Sequence, residues 1–400
     1  MNFNTQKNIS SFVPSPDVSS LVNEQMLHDS FYHPNLGGVT RGGMSNHFPM
    51  TVMALSGLGA SDNEIEQFGL RGQRYRAHLE SDLTLVDTNE ITLDNWTNYL
   101  GQANKLLEFS RVFEQGILQK GVATFVAECL EKMMLSLPMG LFHPLIKLNF
   151  AIIHGDTKLI ANALAYFAIR YYNLYKQYPQ FDLTNDSASS ALSVWQEVNQ
   201  SVGAIEQNFQ TFGGSLRVCE QFCSEESLQQ LSLSNQFSIN QDNLTAKIVE
   251  ISQAAIRLYL HHPALTTLHA VTSCQALADL TNRLGENKQQ KEIFVKLWTL
   301  YWVWLTGLYV EKGSPENLPM PDDQLIEDDA ELFRESTWQV IAEQARKIPE
   351  AHLIKMVYSC KWMFDNVEKN QLFKLAAINI LVEKKAHPTY LRWTKLEKLV

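Results

Sequence analysis

LTAKIVEISQAAIRLYLHHPALTTLHAVTSCQALADLTNRLGENKQQKEIFVKLWTLYWVWLTGLYV, residues 244–310, reads as three helices and the punctuation between them. Apolar residues recur at three- and four-residue steps from Leu244 to His261, and Pro263 then interrupts the backbone ladder. A second run from Ala264 to Leu284 stops at Gly285, a residue suited to ending a helix. The third, from Gln289 to Val310, contains LWTLYWVWLTGLYV (297–310), apolar on every face with five aromatic side chains. At 14 residues the stretch falls short of the ~20 that span a bilayer, so it is expected to be a buried core helix.

The same grammar extends in both directions. Upstream, helices are expected over Val18–Ser30 and over Pro49–Leu58, the latter capped by Ser45 or Asn46 and closed by Gly59. Another opens at Asp62, and the polar stretch Arg71–Asn89 reads as an exposed connection. Further helices are expected over Thr92–Ala103, Asn104–Gln119, Val122–Leu135, Pro144–His154 and Thr157–Tyr175. The polar stretch Gln210–Gln236 is ambiguous. Downstream, Trp338–Arg346, Ala351–Phe364 and Glu368–Leu381 complete the series. With no sustained strand alternation and no fixed-period repeat, the expected architecture is all-α. It is a single large multi-helix domain over 18–400, a helical array around a central pocket, preceded by a tail at 1–17. The acidic, proline-rich stretch 313–329 (GSPENLPMPDDQLIEDD) is a connection within it.

Composition excludes several classes of function. The chain is 45% hydrophobic and 19% charged, enough apolar material for a large core and too little charge for disorder. Its 43 acidic against 33 basic residues, with no basic stripe beyond the short run Arg392–Lys398, argue against nucleic-acid binding. Five cysteines without a CxxC pair fit a reducing compartment, and the N-terminus lacks a signal-peptide pattern, so a cytoplasmic, non-membrane protein is expected. Cys219 and Cys223 are one turn apart, but no second Cys/His pair lies near them to complete a zinc site.

Chemistry is concentrated in a few of the 11 histidines and one lysine. His47 (GGMSNHFPM) stands at a helix start behind two glycine pairs and could ligate a metal or simply pack against Phe48. His143 precedes Pro144 and either serves as a plain cap or surface residue or directs its ring at whatever faces that helix start. His154 lies ~16 Å further along the same helix and cannot share an ion with it. His269 sits in a helix apolar on most faces, so its nitrogens need partners from Thr266 or Thr272, or else face a polar pocket. His352 and Lys355 share one helical face in EAHLIKMVYSC, and a lysine kept there out of water tends to the neutral amine, a base or carbamate former. The HExxH, GxSxG and GxGxxG signatures are missing.

In order, NHFPMTVMALSGLGAS (46–61), FHPLIKLNFAI (142–152), LHAVTSCQAL (268–277) and HLIKMVYSC (352–360) resemble the questin oxidase-like family, helical oxidoreductases that include fungal polyketide-tailoring enzymes. The resemblance implies oxidative chemistry on an aromatic, polyketide-like small molecule, through non-haem iron held by histidines and a carbamylated lysine. By position, His47, His143 and His269 are the implied ligands, Lys355 the lysine, and His352 a ligand or its supporting partner. His47, His269 and Lys355 are the candidates for catalysis, beside a pocket expected to be lined by Phe48, Met50, Phe142 and the Trp298–Trp304 helix. Four positions depart from the fungal pattern: Met50 and Lys147 stand where a second histidine often follows the first two blocks. Ile153 and Asn162 replace acids near the second block. The alternative is therefore a non-catalytic helical binding protein that kept the scaffold. An NADPH-coupled activity has no dinucleotide motif behind it.

Overall fold

Several helices in this chain start where a polar side chain can take up an orphan amide. In the computed structural model, Ser19 accepts from the Val22 amide, Asp156 from Leu159, Thr337 from Val340, and Asn287 from Gln290, whose own side chain reaches back to the Asn287 amide. The structure describes residues 18–36, 38–39, 44–72, 77–78, 86–176, 189–202, 237–316, 318 and 336–386. The helices among them are α1 (Ser20–Asp29), α2 (Phe48–Gly57), α3 (Asp62–Gly72), α4 (Leu106–Lys120), α5 (Val122–Met133), α6 (His143–His154) and α7 (Thr157–Ile169). They continue with α8 (Ala191–Val202), α9 (Leu244–His261), α10 (Leu265–Leu284), α11 (Lys288–Glu311), α12 (Trp338–Arg346), α13 (Ala351–Asn366) and α14 (Gln371–Ala386). The only strands described are Tyr32–His33 and Ala77–His78, paired antiparallel. The expected tail 1–17, the stretch 210–236 with Cys219 and Cys223, Gly37, Gly42 and Gly43, most of the acidic connection after 318 and the run 392–398 lie outside the described residues.

The architecture is all-α, with α10 as its axis. It packs against α5, α6, α9, α11 and α13, and every residue from Thr266 to Thr281 is buried. Several of its polar residues are buried with partners: Ser273 donates to the His269 carbonyl, Thr281 to the Leu277 carbonyl, and Asp279 accepts from Arg283. α11 is long and apolar enough to cross a membrane by length and composition, yet 89% of its apolar window is covered by the rest of the fold. Trp298, Trp302 and Trp304 are at most 1% exposed, and truncating any one to Ala would cost about 3–5 kcal/mol. α2 lies on α1, α6 and α13; α6 and α7 pair; α4 lies along α7; and α13 carries α14.

Two expected helices come out differently. Thr92–Ala103 holds only short 3-10 turns at Trp96–Tyr99 and Ala103–Lys105. The Asn95 side chain accepts from the Thr92 amide and donates to the Glu90 carbonyl, so it competes with the helix ladder. Gly101 then adopts φ +83°, donates its amide to Ala168, and lies so close to the Tyr171 carbonyl that a Cβ would come within 2.9 Å. The helix expected to reach Tyr175 ends at Ile169, because the Tyr172 and Leu174 amides are taken by Ser136 Oγ and the Leu135 carbonyl. α8 was not anticipated; Trp195 anchors it, stacked on Tyr309 and donating to Thr306.

Candidate metal centre

Four helix segments deliver one imidazole each to a common point. Asn46 aims the first. Its amide donates to the Pro34 carbonyl, its side chain donates to Asp29 and accepts from the Phe48 amide, and His47 follows as the residue capping α2. His47 holds the cap position without a side-chain bond, and the Asn46 side chain, one of the two expected caps, takes up the first helical amide, that of Phe48. His143 is the first residue of α6, behind three residues of positive φ: Gly140 at 63°, Leu141 at 52° and Phe142 at 61°. Left-handed backbone at two non-glycine residues costs on the order of 1–3 kcal/mol each and is kept where surroundings impose it. Here the turn brings the Gly140 carbonyl onto His143 Nδ1. His269 comes from the second turn of α10, and His352 with Lys355 from the start of α13.

The rings meet. Centroid separations are 4.5 Å for His47–His143, 4.5 Å for His47–His352, 4.6 Å for His143–His269 and 5.3 Å for His269–His352. Ring nitrogens of His47, His143 and His352 all lie within 4.8 Å of one another, an arrangement that could hold a metal ion. His269 Nε2 stands 3.2 Å from His143 Nε2, and Lys355 Nζ 2.9 Å from His47 Nδ1. His143, His269 and Lys355 are buried, at 5%, 0% and 1% exposure, while His47 and His352 are half-buried and leave one side of the cluster open.

The hydrogen bonds assign the tautomers. His269 Nδ1 meets the Leu265 carbonyl at 2.7 Å, not Thr266 or Thr272. A carbonyl only accepts, so His269 and His143 both carry their proton on Nδ1 and present a bare Nε2. Two lone pairs then face each other across 3.2 Å and repel unless a cation stands between them. A proton is a poor choice, because burial, reinforced by neighbouring charged forms including Lys355, holds both imidazoles well below their ordinary pKa. Burial and Lys355 act on His47 in the same way. His352 Nδ1 lies 3.2 Å from Glu350 Oε1, which accepts the N–H as carboxylates do for metal-binding imidazoles. Burial alone would raise the Glu350 carboxyl, but its hydrogen bonds from His352 and from the His352 and Leu353 amides hold it down to about 2. Burial lowers the Lys355 amine to about 7, against the opposing pull of Glu350.

All five residues singled out from the sequence lie together: His47, His143, His269, His352 and Lys355. His154 does not; it is buried at the far end of α6, with neither ring nitrogen bonded among the described residues. The expected pocket walls are largely core instead. Phe48 stacks on Phe68, Phe142 packs on Trp304 and Tyr301, and the Trp298–Trp304 stretch is covered, while Met50 alone of that group lines a cavity. Sequence reasoning overlooked Glu350 and the Gly140 and Leu265 carbonyls. Glu350 had a signal, an acid two residues before a helix-start histidine; the carbonyls, being backbone, had none.

No curated protein matches the chain. The sequence profile described as Questin oxidase-like matches residues 44–360, a span that holds all five residues of the cluster.

Proposed function

From the premise that this chain belongs to the Questin oxidase-like family, and so points to oxidoreductase chemistry, we propose that it is a metal-dependent oxygenase acting on an aromatic, polyketide-like small molecule. The observation that carries this reading is the pair of bare Nε2 atoms of His143 and His269 facing each other at 3.2 Å, with His47 and His352 around them. An all-imidazole donor set suits iron, among other first-row metals. His47, His143, His269 and His352 would hold the ion, and it would supply activation of O₂ and Lewis acidity.

The chain's own groups divide the remaining work. The Gly140 and Leu265 carbonyls and the Glu350 carboxylate keep protons on Nδ1, so each ring offers Nε2. Lys355 governs His47: a neutral amine accepts from Nδ1–H and leaves Nε2 bare, whereas an ammonium donates to Nδ1 and leaves the proton on Nε2. An amine near 7 is neutral often enough to attack the carbon of CO₂ and release a proton, so Lys355 is also placed to carry the carbamate implied by the family resemblance. The half-buried edges of His47 and His352 leave a side for substrate to approach, and the buried His143, His269 and Lys355 exclude water from the other.

The test is metal analysis of the full chain purified without a histidine tag and loaded with ferrous iron under anaerobic conditions. About one iron per chain is expected, lost in His143→Ala and His269→Ala, with O₂ uptake that needs both iron and a hydroxylated anthraquinone. Sub-stoichiometric iron unchanged by His269→Ala would overturn the proposal and leave a helical binding protein on the same scaffold.

A further inference from the structure

A cavity lies one helical turn from the histidine cluster, among α1, α2, α4, α6 and α7. Met50, three residues after His47, and Lys147, four residues after His143, both line it, so its wall starts about 5–6 Å along each helix from a cluster residue. Its volume of about 60 Å³ is several times what one water requires. Met26, Met50 and Phe150 give it apolar walls, and Lys147, Asp29 and Asn162 bring polar groups to it.

Lys147 is the unusual member. Its side chain is 12% exposed, and its one ion pair, with Asp29 Oδ2, is 3.8 Å long and beyond hydrogen-bond distance. The other oxygen of Asp29 is occupied by the Asn46 side chain, which aims His47. Among the described residues no acceptor lies within hydrogen-bond distance of Lys147 Nζ, so the three N–H donors of its ammonium are left for water or a ligand in the cavity. Burial accordingly pulls the Lys147 amine down. The acid within reach, Asp29, lines the same cavity but meets Lys147 only at ion-pair distance, and Asn162, on the facing wall, is neutral.

We propose that this cavity is an anion subsite that accepts the phenolate or carboxylate of a small aromatic ligand, with Lys147 as the cationic anchor and the Met–Phe walls gripping the ring edge. Its role as part of a substrate pocket rests on the oxygenase reading above; the binding itself does not. A charge-assisted hydrogen bond in an apolar setting is worth about 1.5–3 kcal/mol, or roughly 10–100-fold in affinity.

The probes are salicylate and its neutral counterpart salicylamide, titrated into the full-length protein by calorimetry, with iron content measured on the same samples. Saturable salicylate binding is expected, tighter than that of the amide by about tenfold or more. It should weaken about tenfold in Lys147→Met and stay within about threefold in Lys147→Arg. Asn162→Asp, which places a like charge on the facing wall, should weaken it by a similar factor and serves if Lys147→Met does not fold. Equal binding of acid and amide, binding indifferent to Lys147→Met and Asn162→Asp, or no saturable binding would each overturn the subsite. Lys147-dependent binding in a protein that takes up no iron would uphold the subsite and sink the oxygenase reading; stoichiometric iron with Lys147-independent binding would do the reverse.

Discussion

Lys355 is 1% exposed, and burial brings its amine to about 7 from 10.5. Between those two values the unfolded chain holds a proton that the native protein does not, so stability rises with pH across the window and the full burial penalty is felt below it. In metal-stripped protein, urea unfolding should show wild type gaining about 3 kcal/mol relative to Lys355→Met between pH 7 and 9.5; superimposed profiles would show that the amine keeps its proton. The lowered imidazoles of His47, His143 and His269 act with the same sign at lower pH, eroding stability as pH falls through 6.5. Glu350 acts through His352 and through the α13 cap. Glu350→Ala should cost about 1 kcal/mol of stability. It should also weaken iron affinity by about 10–100-fold in a titration, and a loss of stability with unchanged affinity would make Glu350 a cap alone. The histidines and Lys355 were visible one by one as titratable groups at helix starts and on an apolar helix, but only the resemblance to the family drew them into one set. The tautomer-setting carbonyls of Gly140 and Leu265 were not, since any residue supplies a carbonyl and only the left-handed turn at 140–142 puts one under His143.

Among elements, the contact that matters most to the cluster is the crossing of α2 and α13, which carry His47 and the His352–Lys355 pair. Gly57 makes that crossing possible: a Cβ there would come within 2.4 Å of the Tyr358 ring, itself packed on Phe150 of α6. A rigid ring wedged between three helices cannot yield without moving one, so Gly57→Ala should cost about 1–3 kcal/mol and loosen the cluster from a distance. Gly121→Ala is the matched control. Gly121 has φ +80° and ψ 158°, a conformation that essentially only glycine adopts, and no neighbour in the path of a Cβ, so it should lose about 1–3 kcal/mol to backbone strain with iron affinity unchanged. If both variants lose affinity equally, the crossing has no special hold on the cluster. Helix limits were readable wherever proline or glycine marked them, as at Pro263, Gly155 and Gly285. They failed where long-range partners decided the matter: Gly101 reaching to Ala168, and Ser136 and Leu135 taking amides that would have extended α7.

At the scale of the whole molecule, α12–α14 rest on the rest of the fold and are not a separate unit hung on the acidic connection. α13 packs on α2 and α10, α14 on α9, and Arg346 ties α12 to Glu64 and to the Leu58 carbonyl at 3.1 and 2.8 Å. Residues 1–335 expressed alone should therefore fail to give a cooperative melt, and co-expression with 336–400 should yield a complex that co-purifies; a stable, monomeric 1–335 would contradict this packing. The sequence disclosed the helices on both sides of the connection, but which faces close against each other is settled by residues tens to hundreds of positions apart. The cluster shares that dependence, with imidazoles from positions 47, 143, 269 and 352. An unfolded chain offers no equivalent chelate, so an ion binding there would tie its free energy to the finished fold, and the melting temperature would climb with ion concentration. A nascent chain would stay blind to the ion until residue 352 had cleared the ribosome, so loading would report that all four histidine-bearing segments had been made and folded together.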